Sequence, residues 1–213
     1  MTLAGLLICG TAASEAELVR LRRGEVVITR PAAGTGILAG RSQGIIAAPV
    51  EEVWQVLSDC GRFAEYMPRY LVSSMVGREV ADSARLGNWD RARLERVADS
   101  CRLAEWPGDT AFFYNVLDLP FPFHDRWYLL EMIQDTETHA VDWIQVMGNT
   151  RENYGSWRLK PFCASSETTL VTYSTFSSPG VHLPGFVLNI GLKSTLPGVI
   201  TALRHRVEEQ RRH

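Results

Sequence analysis

The stretch GIIAAPVEEVWQVLSDCGRFAEYMP, residues 44–68, changes from strand to helix at a single proline. The strand ends near Ala48, and the fixed φ angle and missing N–H of Pro49 suit the start of a helix. Two glutamates follow in the first turn, where the helix dipole favours negative charge. Apolar residues then recur at helical spacing, Gly61 permits a stop, and a second short helix ends at Pro68. We therefore expect a strand followed by two short helices.

Most of the chain after this unit has the alternation and turn residues of β-strands. The predicted strands are LVSSMVGREV (71–80), CRLAEW (101–106), TAFFYNVLDL (110–119), AVDWIQVMG (140–148), NYGSWRLKP (153–161) and TTLVTYSTFS (168–177). Residues 82–99 mix apolar and charged residues and favour a short helical insertion over a twisted hairpin arm. Because the connections are too short for crossover helices, we expect an antiparallel sheet.

The clearest strand follows the prolines of DLPFPFHDRWYLLEM, residues 118–132. Alternation places Arg126, Tyr128, Leu130 and Met132 on one face of the strand. The triplet ahead of it, His124 to Arg126, contains common acid and base groups. Neighbours on an extended chain point to opposite faces, however, so a hydrolytic triad is not expected. Two readings stay open: Arg126 pairs with a carboxylate beside the sheet, or it faces a cavity and meets a polar head group.

The last segment, LPGFVLNIGLKSTLPGVITALRHRVEEQRRH (183–213), has a proline near each of two plausible helix starts, Pro184 and Pro197. One apolar stripe follows at helical spacing and consists of Leu196, Val199, Ile200, Leu203 and Val207. An amphipathic helix of this kind needs an apolar surface to lie against. The chain is therefore predicted to be α+β, with this helix on one face of the sheet and room for a mostly apolar pocket between them.

Length and composition limit the possible functions. The chain has 213 residues, 46% of them hydrophobic, and a formal net charge of −2. We expect one domain over residues 17–213, and no nucleic-acid partner because no basic excess is present to meet a phosphate backbone. Cysteines lack metal-ligand or disulfide spacing, and no HExxH, Gly-x-Ser-x-Gly or phosphate-binding loop is present. We expect no metal ion, no cofactor and no dedicated catalytic residue.

Residues 1–16, MTLAGLLICGTAASEA, contain a short apolar run followed by small residues. The run is too short to span a bilayer and resembles the apolar part of a secretory signal, but it lacks a positively charged start. An ordinary N-terminal helix is the alternative. The sequence leaves open whether the protein is exported or stays in the cytoplasm.

Three segments together resemble the START-like, helix-grip (SRPBCC) superfamily, which includes polyketide cyclases. Residues 44–68 are similar to its opening strand and paired helices, and LPFPFHDRWYLLE (119–131) is similar to a strand of START lipid-binding domains. Residues 177–207 resemble the closing loop and helix, although Val181 stands where the family has a second glycine. The resemblance implies a helix-grip fold, in which a curved antiparallel sheet wraps around a long C-terminal helix, with two short helices after the first strand.

The resemblance also implies a cavity under the C-terminal helix that holds a lipid, sterol, isoprenoid or polyketide. The candidate ligand-binding residues are Arg126, Tyr128, Leu130, Met132, Trp143, Trp157, Phe186, Asn189, Val199, Ile200 and Leu203. Several of them, including both tryptophans, suit plain core packing equally well. We expect a monomer that binds or transfers a hydrophobic small molecule, a role compatible with transient membrane contact. The alternative is a polyketide aromatase or cyclase, with His124, Arg126 or Tyr128 as polar participants.

Overall fold

The computed structural model describes most of the chain: residues 14–30, 38–119, 124–162, 167–178 and 185–212. Within these ranges, the side chains of residues 38 and 185–194 are not described. Residues 1–13, most of the predicted signal-like segment, lie outside them.

The described part of the chain contains six α-helices and eight strands. The helices are α1 (Glu15–Arg22), α2 (Val50–Ser58), α3 (Phe63–Tyr66), α4 (Arg78–Leu86), α5 (Arg91–Ser100) and α6 (Gly185–Gln210). The strands are β1 (Val27–Thr29), β2 (Leu38–Ile46), β3 (Tyr70–Val76), β4 (Thr110–Leu117), β5 (Arg126–Asp135), β6 (Ala140–Gly148), β7 (Glu152–Pro161) and β8 (Thr169–Ser178). They form one sheet in the order β1-β2-β8-β7-β6-β5-β4-β3, and every neighbouring pair is antiparallel.

The strand and two short helices predicted from residues 44–68 are confirmed. Strand β2 ends at Ile46, and α2 begins one residue after Pro49, whose φ of −57° already suits a helix. A 3₁₀ turn at Cys60–Arg62 joins α2 to α3. This unit closes one end of the sheet, because α2 contacts both β7 and α6, and α3 contacts β3 and α6.

The inner face of the sheet is the face against which α2, α3 and α6 pack. The predicted apolar stripe of α6 is buried there, and two glycines of β2 let the helix approach closely. A Cβ atom added to Gly40 would lie 2.5 Å from Leu196 Cδ1, and one added to Gly44 would lie 2.5 Å from Ile200 Cγ2. Ordinary carbon contacts are about 3.5–4.0 Å, so a side chain at either position would force Leu196 or Ile200 to shift.

The outer face carries a second, smaller core beneath α4 and α5. These helices confirm the helical insertion predicted for residues 82–99. Small residues of α4 and Leu94 and Ala98 of α5 pack on outward-facing side chains of β3, β4 and β5. Leu129 is fully buried there, whereas Tyr128 and Leu130 belong to the inner core. The period-two alternation predicted along β5 therefore separates two cores.

The prediction of strands at 101–106 and at 77–80 was wrong. Gly77 already precedes α4, and residues 102–106 form an irregular segment, the strap, that crosses the free edge of β3. Arg102 Nη2 donates to Ser73 O over 2.7 Å, and Leu103 N donates to Met75 O over 2.8 Å. Trp106 Nε1 donates to Ser58 O over 2.7 Å. These contacts are isolated, and only one of them joins two backbone groups. A strand would need a regular series of backbone hydrogen bonds to its neighbour, so the strap is not a strand.

The C-terminal helix is longer than the position of Pro197 predicts. A single helix of 26 residues runs through Pro197, which lies inside it and not at its start. A proline inside a helix removes one backbone hydrogen bond and costs about 3 kcal/mol in isolation. The buried side chains on both sides of it, Leu196 and Val199, offset this cost, because burying one such side chain contributes about 1.5–3 kcal/mol.

We predict that Gly44→Val lowers the free energy of unfolding by about 1–3 kcal/mol, because the new side chain collides with Ile200 and overpacks the core. Urea denaturation measures the loss. Adding Ile200→Ala should restore part of the lost stability, since it removes the colliding methyl groups. The control is Gly61→Ala, because a Cβ at Gly61 meets nothing within 4 Å. Equal losses in the two glycine variants would contradict the close approach.

Candidate functional site

The inner face of the sheet has an apolar half and a polar half. The apolar half lies against α2 and the C-terminal part of α6, and Phe113, Leu130, Met132 and Trp157 belong to it. The polar half lies toward the strand ends where β4 leads to β5, β6 leads to β7, and β8 leads to α6. Its described members are Ser42, Tyr70, Ser73, Asn115, Arg126, Tyr128, Asn153 and Tyr173. Strand register brings them together, because Tyr128 lies opposite Asn115 and Asn115 opposite Ser73.

Arg126 is the charged residue of the polar half. Its side chain is 9% exposed, and Nε is buried without a hydrogen-bond partner in the described part of the chain. The neighbouring residue is oriented by other contacts: Asp125 pairs with Arg91 of α5 at 3.3 Å, and Asn149 Nδ2 donates to the carbonyl oxygen of Asp125. A buried guanidinium normally has partners for its five N–H groups. The arrangement corresponds to the second reading of the triplet, in which Arg126 faces inward.

The other members of the triplet serve different roles from those first considered. The Asp125 carboxylate holds α5 against the start of β5 through Arg91. His124 is exposed and is not part of the inner face. Residues 120–123, which contain the second Pro-Phe pair, lie outside the described ranges.

Three tyrosines meet on the polar half of the inner face. Burial raises the pKa of Tyr70, Tyr128 and Tyr173 above the usual phenol value, and the three phenols are close enough for Tyr128 and Tyr173 to raise the pKa of Tyr70 further. Tyr70 and Tyr173 nevertheless keep some accessible surface. At neutral pH all three hydroxyls are protonated and can donate hydrogen bonds.

An aromatic wall continues from this cluster. The Tyr173 ring lies 5.6 Å from the Trp143 ring in a stacked arrangement and 4.4 Å from the Trp157 ring. Trp143 Nε1 donates to Asn153 Oδ1 over 3.1 Å. The Trp143 ring lies directly over Gly155, where a Cβ atom would collide with it. Glycine at this position lets a large indole lie flat on the sheet with its one donor satisfied.

The structure places the candidate residues from the sequence in two groups. Arg126 and Tyr128 belong to the polar half of the inner face. The others with described side chains belong to the packed apolar half: Leu130, Met132, Trp143, Trp157, Val199, Ile200 and Leu203. Phe186 and Asn189 lie on α6, but their side chains are outside those described. The pocket predicted beneath residues 186–207 is therefore bounded in part by side chains that are not described.

Sequence reasoning missed Tyr70, Asn153, Tyr173 and Ser42. Ser42 lies opposite Tyr173 on the inner face, and its buried Oγ has no partner among the described residues. The alternation Val171, Tyr173, Thr175 on β8 is readable in the sequence and indicates one shared face. No comparable signal exists for Tyr70, which reaches the cluster through an irregularity in the pairing of β3 with β4.

Among the described residues, no group of three or more His, Cys, Asp or Glu side chains is arranged to hold a metal ion. No described helix combines the length and the apolar character needed to cross a membrane.

Solved structures of similar fold come from several bacteria. A STAR-related lipid transfer protein from Xanthomonas axonopodis aligns with a TM-score of 0.62 at 18% identity, over 86% of this chain and 93% of its own. The Zhui aromatase/cyclase from a Streptomyces species aligns with a TM-score of 0.58 at 13% identity, over 82% and 95%. A START superfamily protein from Mycobacterium smegmatis aligns with a TM-score of 0.54 at 14% identity, over 88% and 99%. These likenesses show the fold, and the predicted helix-grip fold is confirmed.

No curated protein sequence matches the chain. The sequence profile of the family described as "Polyketide cyclase / dehydrase and lipid transport" matches residues 46–204, from the last residue of β2 through most of α6. Family and fold together point to a domain that binds a hydrophobic ligand. The suspected START-like relationship is thereby confirmed, and the chain belongs to the polyketide cyclase / dehydrase and lipid transport family.

Proposed function

We propose that the protein binds a lipid or another hydrophobic small molecule with at least one oxygen function, and releases it unchanged. The observation that carries this proposal is the buried Nε of Arg126, which has no hydrogen-bond partner among the described residues. Leaving a buried polar group unpaired costs about 1–3 kcal/mol, and more when the group is charged. A carboxylate, phosphate or carbonyl oxygen of a ligand would satisfy it.

The surroundings of Arg126 favour the same kind of ligand. The phenols of Tyr70, Tyr128 and Tyr173 supply neutral donors, and the stacked rings of Tyr173 and Trp143 supply an apolar wall. A molecule with an oxygen at one end and a hydrocarbon body would match both halves of the inner face. Pockets for small molecules are commonly built in this way, mostly apolar with a few placed polar groups.

A second candidate is an aromatase or cyclase reaction on a polyketide-like substrate. It is favoured by the position of Arg126 and Tyr128 on one face of β5, where a fixed cation and a phenol could both donate to a substrate carbonyl. Ring closure followed by aromatisation also requires a base that accepts a proton. The raised pKa values make the three phenols poor bases at neutral pH, so binding is the better-supported function.

Native mass spectrometry of the full chain, purified without detergent, tests the binding proposal. We expect one hydrophobic molecule per chain, identified after extraction, and displacement of that molecule by a fluorescent fatty acid. Tyr128→Phe and Tyr173→Phe should each weaken binding of the probe about fivefold, the usual effect of losing one hydrogen bond. A chain that carries no molecule and does not bind the probe would contradict the proposal.

The same ligand distinguishes the two candidate functions. A binding protein returns the extracted molecule with its mass unchanged after prolonged incubation. A cyclase would convert a linear polyketide-like substrate, with loss of water as each ring aromatises. That conversion should then stop in Arg126→Met and continue in His124→Ala, because His124 is exposed.

We predict that Arg126→Met stabilises the ligand-free protein and at the same time weakens ligand binding. Methionine fills a similar volume and removes a buried charge, so the free energy of unfolding should rise by about 1 kcal/mol. Affinity for the fluorescent fatty acid should fall at least tenfold, since a charge-assisted hydrogen bond is lost. Urea denaturation and probe titration measure the two effects.

The control for this variant is Arg158→Met on the outer face. Arg158 Nη2 pairs with Asp142 Oδ1 at 2.7 Å, opposite the face that Trp157 presents to the core. Its loss should leave probe affinity unchanged. If Arg126→Met destabilises the protein and leaves affinity intact, Arg126 is structural and the ligand does not contact it.

A further inference from the structure

The turn between α4 and α5 displays the most exposed large apolar side chain of the described residues. Leu86 is 84% exposed, whereas the other exposed apolar side chains range from 42% to 54%. The helices that lead to and from this turn are fixed, because Ala81, Ala84, Leu94 and Ala98 are buried against the outer face of the sheet. Leu86 therefore projects from a rigid support.

An indole lies beside this leucine. Trp89 is partly buried against the outer core, and the Arg93 guanidinium lies 4.3 Å from the centre of its ring. Gly87 allows the ring to lie against the turn, since a Cβ there would be 2.6 Å from Trp89 Nε1. Tryptophan with an apolar body and one polar atom is typical of membrane–water interfaces.

Residues 85–93, which we call the tip, carry a positive excess. They contain Arg85, Arg91 and Arg93 but only one acidic residue, Asp90. The Asp90 carboxylate accepts a hydrogen bond from Arg93 N over 2.8 Å and so caps α5. The Arg85 side chain is 61% exposed, with the Asp82 carboxylate 3.6 Å away. Arg91 is paired with Glu95 and Asp125, so Arg85 and Arg93 are the basic groups that the tip offers to an anionic surface.

The tip lies at the same end of the sheet as the polar half of the inner face. Arg91, at the start of α5, contacts Asp125, and the next residue along the chain is Arg126. A surface that touched the tip would thus be close to the strand ends that border the proposed ligand site.

We propose that the tip is a contact site for an anionic lipid surface, with Leu86 inserted among the acyl chains and Trp89, Arg85 and Arg93 at the headgroup level. One exposed leucine and one indole form a patch much smaller than the roughly 800 Å² that each partner of a stable protein complex buries. Such a patch is enough for weak, reversible membrane binding, because an inserted leucine and nearby arginines each add to the affinity. The inference rests on the proposed function, since a transfer protein must meet a membrane to load and unload.

Flotation of the ligand-free full chain with vesicles of phosphatidylcholine and phosphatidylglycerol in equal amounts tests the contact. We expect Leu86→Gln to lower the partition coefficient about tenfold, the effect of losing one buried leucine side chain. Arg93→Gln should weaken binding to these vesicles and leave binding to pure phosphatidylcholine unchanged. High salt should reduce binding of the wild-type chain, because screening removes its electrostatic part.

The matched control is Ile133→Gln. Ile133 is also an exposed apolar side chain, 50% accessible, but it lies at the opposite end of β5 from Asp125. Its replacement should leave the partition coefficient unchanged, and all three variants should keep the wild-type urea midpoint. Equal partition of wild type and Leu86→Gln would overturn the proposal, as would self-association or capture of a protein through Leu86 in place of vesicle binding.

Transfer of a fluorescent fatty acid between vesicles separates this inference from the proposed function. Leu86→Gln should load the probe normally and deliver it more slowly. Vesicle binding through the tip by a chain that neither loads nor delivers the probe would support the contact and contradict the transfer role. If Leu86→Gln loads and delivers the probe normally, the proposed ligand site stands and the proposed membrane contact through the tip is wrong.

Discussion

The packing of α6 on β2 is the constraint on which the inner face depends. Gly40 and Gly44 bring the backbone of the strand into contact with Leu196 and Ile200, and the Arg204 guanidinium donates to the carbonyl oxygen of Ile45. This contact fixes the C-terminal part of the helix close to one side of the sheet. The sheet then continues through six more strands, which turn their inner face toward the same helix. The polar half is the part of that face beyond the close contact.

The two faces of the sheet pack against different helices: the inner face against α2, α3 and α6, and the outer face against α4 and α5. The outer face is covered by α4 and α5 over β3, β4 and the first half of β5, so Leu129 is buried on one side of β5 and Tyr128 and Leu130 are buried on the other. Arg126 therefore projects from a strand that is fixed by two cores and by the Asp125 and Asn149 contacts beside it. Holding a buried guanidinium whose Nε lacks a partner requires such a support, because a mobile strand would turn the charge to water. Rigid placement before binding also reduces the entropy that a ligand must overcome.

Local sequence patterns predicted the fold well and the site only in part. The helix start at Pro49, the alternation along β5 and the stripe of α6 each follow from one short segment, and each is found. The tyrosine cluster could not be found in this way, because Tyr70, Tyr128 and Tyr173 belong to strands that are distant in sequence and meet only through register and curvature. Two local rules gave wrong answers for physical reasons. Tertiary packing outweighs the cost of Pro197 inside a helix, and residues 101–106 have strand-like composition but no partner for a full ladder.

The strap has a consequence for the state without ligand. An open sheet of eight strands ends in two free edges, and a free edge offers its carbonyl groups to any other strand that approaches. On β3 the outward carbonyl oxygens of Ser73 and Met75 already accept hydrogen bonds from Arg102 and Leu103. The residue after the strap is a proline, at position 107, and a proline has no backbone N–H to donate. A passing chain therefore meets an occupied edge, and the sheet is protected against edge-to-edge aggregation at its β3 side whether or not the interior is filled.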